Sequence, residues 1–212
     1  MFNTVTRVPQ PPNFQMKIYT KTGDKGTSGL YNGERRDKDD PVFQALGTVD
    51  ELNGTLALAY EFAKDGEVKQ WIETISSCLF DVGGAIATPR KTTDSQVRLE
   101  YTKFDADNID WLEQKIDFMD TKVKPLQKFI LPVGGGLASS QLQFSRTVAR
   151  KAERDVWPLI RQEQVDPAVG QYLNRLSDFL FTLARYLAMQ EGKKQRIYKN
   201  ANARDESGEE DD

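Results

Sequence analysis

The chain has 212 residues and a formal net charge of −3, a length that suits one domain with a sizeable core and a charge balance that does not recommend nucleic acid as a partner. It contains no histidine and a single cysteine, Cys78. That excludes Ser-His-Asp triads, Cys-His pairs, an internal disulfide, cysteine-cluster metal sites and histidine–carboxylate di-iron bundles.

No apolar run approaches the ~20 residues of a membrane span, so a soluble protein is expected. Chemistry then has to rest on phosphate binding, positioning, carboxylates or a cofactor that is reactive by itself. Residues 1–15, with Pro9, Pro11 and Pro12, and the acidic stretch 201–212 read as disordered ends, leaving 16–200 as the folded domain.

The first informative segment is Ile18–Leu30. It places Gly23, Gly26 and Gly29 among Lys21, Lys25, Thr20, Thr22, Thr27 and Ser28. Glycines let a backbone curl and present its N–H groups to an anion, and the lysines and hydroxyls add charge and short donors, which is what a polyphosphate needs. The string is not a Walker A loop, because Gly-x-x-x-x-Gly-Lys-Ser/Thr cannot be read in it. Taken alone, a Gly-rich turn with solvated lysines accounts for it equally well.

Five apolar stripes with steps of three and four follow. They run Ala45–Ala63, Val68–Ile86, Ile109–Val123, Ala138–Val156 (with Ser145 at one core step) and Val169–Leu187. A mean period near 3.5 belongs to helices packed at shallow angles, so the expected fold is all-α, a five-helix left-handed bundle with an N-terminal glycine-rich nucleotide-binding loop across one end. Asp40-Pro41 and Asp166-Pro167 read as helix starts, Thr88-Pro89 closes the second helix, and Pro158 ends or kinks the fourth. Arg90–Lys103 is polar and reads as a mobile, irregular loop. Cys78, beside Ile75, Leu79 and Phe80, reads as a buried, inert thiol.

Charged stripes border the apolar ones. Arg146, Arg150 and Glu153 lie within about 60° of one another on the fourth helix, and Asn174, Asp178 and Arg185 share a face of the fifth. Asp50 and Asn53 hold a similar place on the first. Solvated intrahelical pairs are one reading; the other is a clamp on a phosphate chain at a subunit boundary, for which the planar arginine fork is suited. Between the third and fourth helices, Phe129–Leu137 combines an apolar strand-like arm with Gly134, Gly135 and Gly136, either a second anion site at a helix start or a plain connector.

In their order and spacing these strings resemble the PduO-type ATP:cob(I)alamin adenosyltransferases over about residues 16–200. The matching blocks are Tyr-Thr-Lys-Thr-Gly-Asp-Lys-Gly (19–26), Gly-Thr-Val-Asp-Glu-Leu-Asn (47–53), Leu-Phe-Asp-Val-Gly with Ala-Thr-Pro (79–89), Phe-Ile-Leu-Pro with its glycines, Arg-Lys-Ala-Glu-Arg (150–154), and Tyr-Leu-Asn-Arg-Leu-Ser-Asp-Phe-Leu-Phe (172–181).

The resemblance implies a homotrimer of five-helix bundles with active sites between subunits, acting on ATP with Mg²⁺ and on cobalamin. It implies that Thr20, Lys21, Thr22, Gly23 and Lys38 hold the triphosphate and that Arg146, Arg150, Glu153 and Asn174 surround the nucleotide. Asp50 would pair with the Arg146 position across the interface, and Phe129 would stand under the corrin ring and help displace its axial ligand. A chain without histidine cannot ligate the corrin through one, which agrees with a four-coordinate cobalt.

Two departures stand out. The family often carries a histidine three residues before the Arg146 position, where this chain has Gln143, and the Gly134–Gln141 region is one residue longer than usual. The implied function is transfer of the adenosyl group of ATP to cob(I)alamin. The alternatives are a non-catalytic corrinoid and ATP carrier or sensor of the same fold, and a purely structural bundle. A reductase or a corrinoid-dependent enzyme is a possible partner. The family occurs in bacterial cytoplasm and in the mitochondrial matrix; the cytoplasm is expected here, with the matrix as the alternative.

Overall fold

The computed structural model describes residues 21–200; the expected disordered ends and Thr20 lie outside them. The chain begins with a small antiparallel hairpin, β1 (Thr27–Gly29) against β2 (Arg35–Asp37), with Ser28 opposite Arg36. Six helices follow: α1 (Pro41–Phe62), α2 (Gly66–Ile86), α3 (Gln96–Tyr101), α4 (Asp107–Asp120), α5 (Leu137–Arg161) and α6 (Pro167–Gln190). The five long ones are those that the apolar stripes predict.

Their starts follow the local chemistry. Asp40 accepts from Val42 N, Asp65 from Glu67 N and Val68 N, and Asp166 from Ala168 N, each satisfying orphan donors of a first turn. Proline fills the first helical position of α1 and α6, where no N–H is needed. In the bundle α5 lies between α1 and α6, α2 packs on α1, and α4 packs on α6. Trp71 of α2 meets Phe118 of α4 and Phe179 and Tyr186 of α6, closing the ring of helices. Leu52, Leu56, Ile75, Leu79, Leu142, Leu173, Phe179 and Leu180 form its buried centre. Ser145, the polar step in the fourth stripe, is fully buried and donates its hydroxyl to Gln141 O at 3.1 Å.

Four expectations need correction. The 90–103 segment is not an irregular loop throughout: α3 forms within it, capped by Ser95, and Tyr101 stacks on Tyr31 of the hairpin with centroids 6.5 Å apart. Of the two expectations for Pro158, an end or a kink, the end is overturned. α5 continues to Arg161 because Leu159 and Ile160 are buried, which offsets the hydrogen bond that proline cannot donate. α4 stops at Asp120, with Val123 buried in the turn beyond it. Phe80 is exposed rather than packed around Cys78.

Cys78 itself is buried, and burial pushes its thiol up to about 11. That is an inert thiol, as expected.

The two ends of the bundle carry different furniture. The hairpin is tied to the end where α2 finishes and α5 turns into α6, through Tyr31 N to Ala87 O (2.9 Å) and Arg36 Nη1 to Gln164 Oε1 (3.2 Å). At the other end the Phe129 arm pairs with the C-terminal segment. Ile130 faces Ile197 in an antiparallel bridge, flanked by Leu131 N to Arg196 O (2.7 Å) and Tyr198 N to Phe129 O (2.8 Å).

Candidate functional site

The glycine-rich loop takes a definite shape. Gly26 has φ of 81° and donates to Gly23 O at 3.2 Å, closing a tight turn that a side chain would strain. Lys21, though not glycine, holds φ of 59°, a left-handed backbone that folded proteins tend to keep at ligand sites. Lys38 reaches over this turn: its backbone N donates to Gly26 O at 2.8 Å, and a Cβ on Gly23 would stand 3.3 Å from the Lys38 Nζ. Arg35 pins the loop from beneath, donating from Nη2 to Thr22 O and to Thr27 Oγ1, both at 2.7 Å. The loop residues Lys21, Thr22, Gly23 and Lys38 are thus gathered together; Thr20 is outside the described residues.

The α5 stripe forms the second part. Arg146 is half-buried and its Nε donates to Oε1 of Gln143 at 2.9 Å. Gln143 is itself 4 % exposed, so the residue in the usual histidine place is a buried, neutral anchor for the arginine. Burial first, then the like charge of Arg150, pulls the Arg146 pKa below its ordinary value. Arg146 and Arg150 open into a cleft of about 350 Å³ shared with Asp178, Phe181 and Arg185 of α6 and Asp120 of α4.

Neither Arg146 nor Arg150 forms a salt bridge among the described residues. Asp178 is taken up by Arg175 at 2.7 Å. Nor does the solvated intrahelical pair of Arg150 with Glu153 form. Glu153 instead accepts from Asn174 Nδ2 at 3.1 Å, beside a second cleft of about 300 Å³ lined by Trp157 and Arg175 among others.

Asp50 is exposed on α1 and makes no hydrogen bond or ion pair among the described residues. It does not meet Arg146 within the chain. Phe129 is 85 % exposed at the tip of its arm. The arm starts beside the arginine cleft, because Arg185 Nη2 donates to Lys124 O at 2.5 Å.

The three glycines before α5 do not form an open anion site. A Cβ on Gly136 would stand 2.8 Å from both Glu191 Oε2 and Lys193 Nζ, and one on Gly134 would stand 2.7 Å from Lys194 O, so these two admit the C-terminal segment, while one on Gly135 would meet Ser139 of α5 and Ala188 of α6.

The sequence put Arg185 on a stripe whose two readings were a solvated face and a phosphate clamp, and gave no role to Glu34, Arg35 or Arg36. The hairpin residues carry no periodic signal at all.

This α-bundle therefore carries a cleft with two arginines that form no ion pair among the described residues, and a glycine–lysine turn. The family model for cobalamin adenosyltransferases matches residues 18–187, and the chain belongs to that family. It is 50 % identical over 184 residues to the corrinoid adenosyltransferase MMAB of Homo sapiens, covering 86 % of this chain and 73 % of the relative. It is 42 % identical over 183 residues to the corrinoid adenosyltransferase of Bacillus subtilis, covering 84 % and 89 %. A variant of the PduO-type ATP:corrinoid adenosyltransferase from Lactobacillus reuteri, complexed with cobalamin and ATP, superposes with a TM-score of 0.80 at 36 % identity, covering 87 % of this chain and 100 % of that one.

Proposed function

We propose that this chain transfers the 5′-deoxyadenosyl group of ATP to cob(I)alamin, giving adenosylcobalamin and triphosphate. The observation that carries the reading is the Arg146–Arg150 pair: two guanidinium groups one helical turn apart with no carboxylate paired to either among the described residues. Like charges held together in this way call for an anion, and arginine takes phosphate oxygens in pairs.

The cobalt of the reduced corrinoid is the nucleophile, so the protein need not supply one. Its electron pair forms the Co–C5′ bond, while the pair of the breaking C5′–O bond leaves with the triphosphate. The chain has to align the two reactants and to stabilise charge on the leaving group. In this reading Lys21, Lys38, the backbone at Thr22 and Gly23, and Thr20 hold the triphosphate. Arg146 and Arg150 offset its growing charge, and Glu153 with Asn174 borders the nucleoside. Phe129 offers an apolar face to the corrin and keeps water from the axial position, which makes Co(II) easier to reduce.

Among the described residues no group of three or more Cys, Asp or Glu side chains converges to hold a metal ion. In this proposal the magnesium is held chiefly by the phosphates of ATP, and no step relies on a protein-held metal.

The same proposal places the site between subunits of a homotrimer. Asp50 and Arg146, which form no ion pair among the described residues, complement each other across such a boundary. Leu58, Phe80, Leu137 and Phe144 are apolar and exposed, surface of the kind that a neighbouring copy covers. Among the described residues no helix is long and apolar enough to cross a membrane. A cytoplasmic or mitochondrial-matrix setting, with a reductase or corrinoid-dependent enzyme as partner, belongs to the proposal too.

The test mixes protein, ATP, Mg²⁺ and chemically reduced cob(I)alamin without oxygen and follows the visible spectrum. Catalytic formation of a light-sensitive Co–carbon product, slowed sharply in Arg150→Ala with corrinoid affinity retained, is expected. Binding of both ligands without turnover would favour the carrier or sensor instead.

A further inference from the structure

The hairpin that shapes the glycine-rich loop has only three residues per strand. Two strands this short are marginal in water by themselves, so something else holds the loop in place. The hydrogen bonds around Glu34 identify it. Its carboxylate accepts from Arg36 at both oxygens, from Nε at 2.8 Å and Nη2 at 3.0 Å, and from Thr92 Oγ1 at 2.7 Å. Its backbone N donates to Asn32 Oδ1 at 2.9 Å and its carbonyl accepts from Leu30 N at 2.8 Å.

The partners carry the link onward in both directions. Asn32 Nδ2 donates to the buried Thr93 Oγ1 at 3.2 Å, and Arg98 of α3 donates to Asn32 O at 2.7 Å. Arg36 reaches Gln164 in the α5–α6 connection and sits opposite Ser28 in the ladder. The next residue, Arg35, fixes Thr22 and Thr27. Hydrogen bonds from the 87–98 segment therefore meet at Glu34, and the β2 backbone carries the link on through Arg36 and Arg35 to the turn that carries Lys21 and Gly23.

We infer that Glu34 is a positioning residue, holding the 21–29 turn through Arg36, Asn32 and Thr92 in the shape that receives the nucleotide's phosphates. The inference rests on the proposed role of that turn as the triphosphate site. Glu34 does not touch the nucleotide. A carboxylate among phosphates would repel them, and both of its oxygens are already engaged with Arg36 and Thr92. Bidentate pairs of this kind fix geometry as well as charge.

The experiment compares Glu34→Gln, Thr92→Val, Thr92→Ser and Lys38→Ala for KM for ATP, kcat, cob(II)alamin affinity and Tm. Glu34→Gln is expected to raise KM for ATP about tenfold, the share of one charge-assisted bond. Thr92→Val is expected to raise it about threefold, with kcat and corrinoid affinity within about twofold, and Thr92→Ser to restore it. An unchanged KM for ATP in Glu34→Gln while Lys38→Ala raises it would overturn the positioning role and leave the loop assignment standing. An unchanged KM in Lys38→Ala as well would remove the loop assignment and this inference with it. A matching fall in kcat and corrinoid affinity would mark Glu34 as a general structural residue and overturn the inference too.

Discussion

Lys38 lies across Gly23: a Cβ placed on that glycine would meet both Cε and Nζ of the lysine at 3.3 Å. The glycine is there for this approach rather than for an unusual backbone angle. Gly23→Ala would displace the free end of a flexible side chain, which costs the fold little. Stability is expected to change by less than about 0.5 kcal/mol, as for most surface substitutions. The displaced ammonium is expected to weaken the phosphate contact by roughly 1 kcal/mol, about fivefold in KM for ATP. Thermal unfolding and steady-state kinetics on the same protein check both halves. A large fall in Tm would show that Gly23 serves the fold instead.

Phe129 is held from one side only. Its arm owes its shape to the pairing of 129–133 with 196–198, and the side chain itself is almost fully in solvent. Phe129→Ala should leave stability within about 0.5 kcal/mol while abolishing the four-coordinate Co(II) signature in the electron paramagnetic resonance spectrum of the ATP-bound protein. Ending the chain after Gly192 removes three backbone hydrogen bonds to the arm. It is expected to weaken the same signature while the helical core still unfolds cooperatively, because few apolar contacts are lost. An undiminished signature in the truncated chain would mean that the arm keeps its shape alone.

The bundle was legible because burial imposes a period: every stripe residue from Ala45 to Ala59 and from Val169 to Leu187 is buried. The capping aspartates were legible because their reach is local. α3 was not, since none of its six residues is buried and what holds it is a ring stack and an arginine contact with the distant hairpin. Helical spacing put Arg146, Arg150 and Glu153 on one face, but it could not say that Glu153 takes its partner from Asn174, 21 residues away. Nor could it show that Gly134 and Gly136 make room for the C-terminal segment.

Glu34 also sets an acid limit for the hairpin. Hydrogen bonds from Arg36 first and Thr92 second hold its carboxyl at about 2, below its ordinary 4.5. A carboxyl lowered on folding contributes stability that is fully present above pH 4.5 and is lost as pH falls toward 2. In that window the unfolded chain binds more protons, by up to one from this group. The urea midpoint of the protein should therefore fall with acidification more steeply than that of Glu34→Gln. Parallel slopes for the two proteins would show that the carboxyl is not held down by folding.

Gln143 gives the arginine cleft a support that does not titrate. Its buried side chain accepts from Arg146 Nε, and glutamine keeps that acceptor at every pH. Gln143→His would put a titratable ring in the same place. Its pKa should fall below the free value of about 6.5, because burial and two neighbouring arginines all disfavour the imidazolium. Near pH 7 the neutral ring can still accept from Arg146, and activity should stay within about threefold of the parent. As the ring protonates it loses the acceptor and adds a third positive charge. The Arg146 side chain would then swing away, and kcat/KM for ATP should fall below about pH 6, a limb that the parent lacks. Gln143→Leu separates geometry from charge: it leaves Nε without its partner at all pH values, so its loss should be flat with pH. A profile for Gln143→His that runs parallel to the parent's down to pH 5 would show that Arg146 keeps its place without this acceptor.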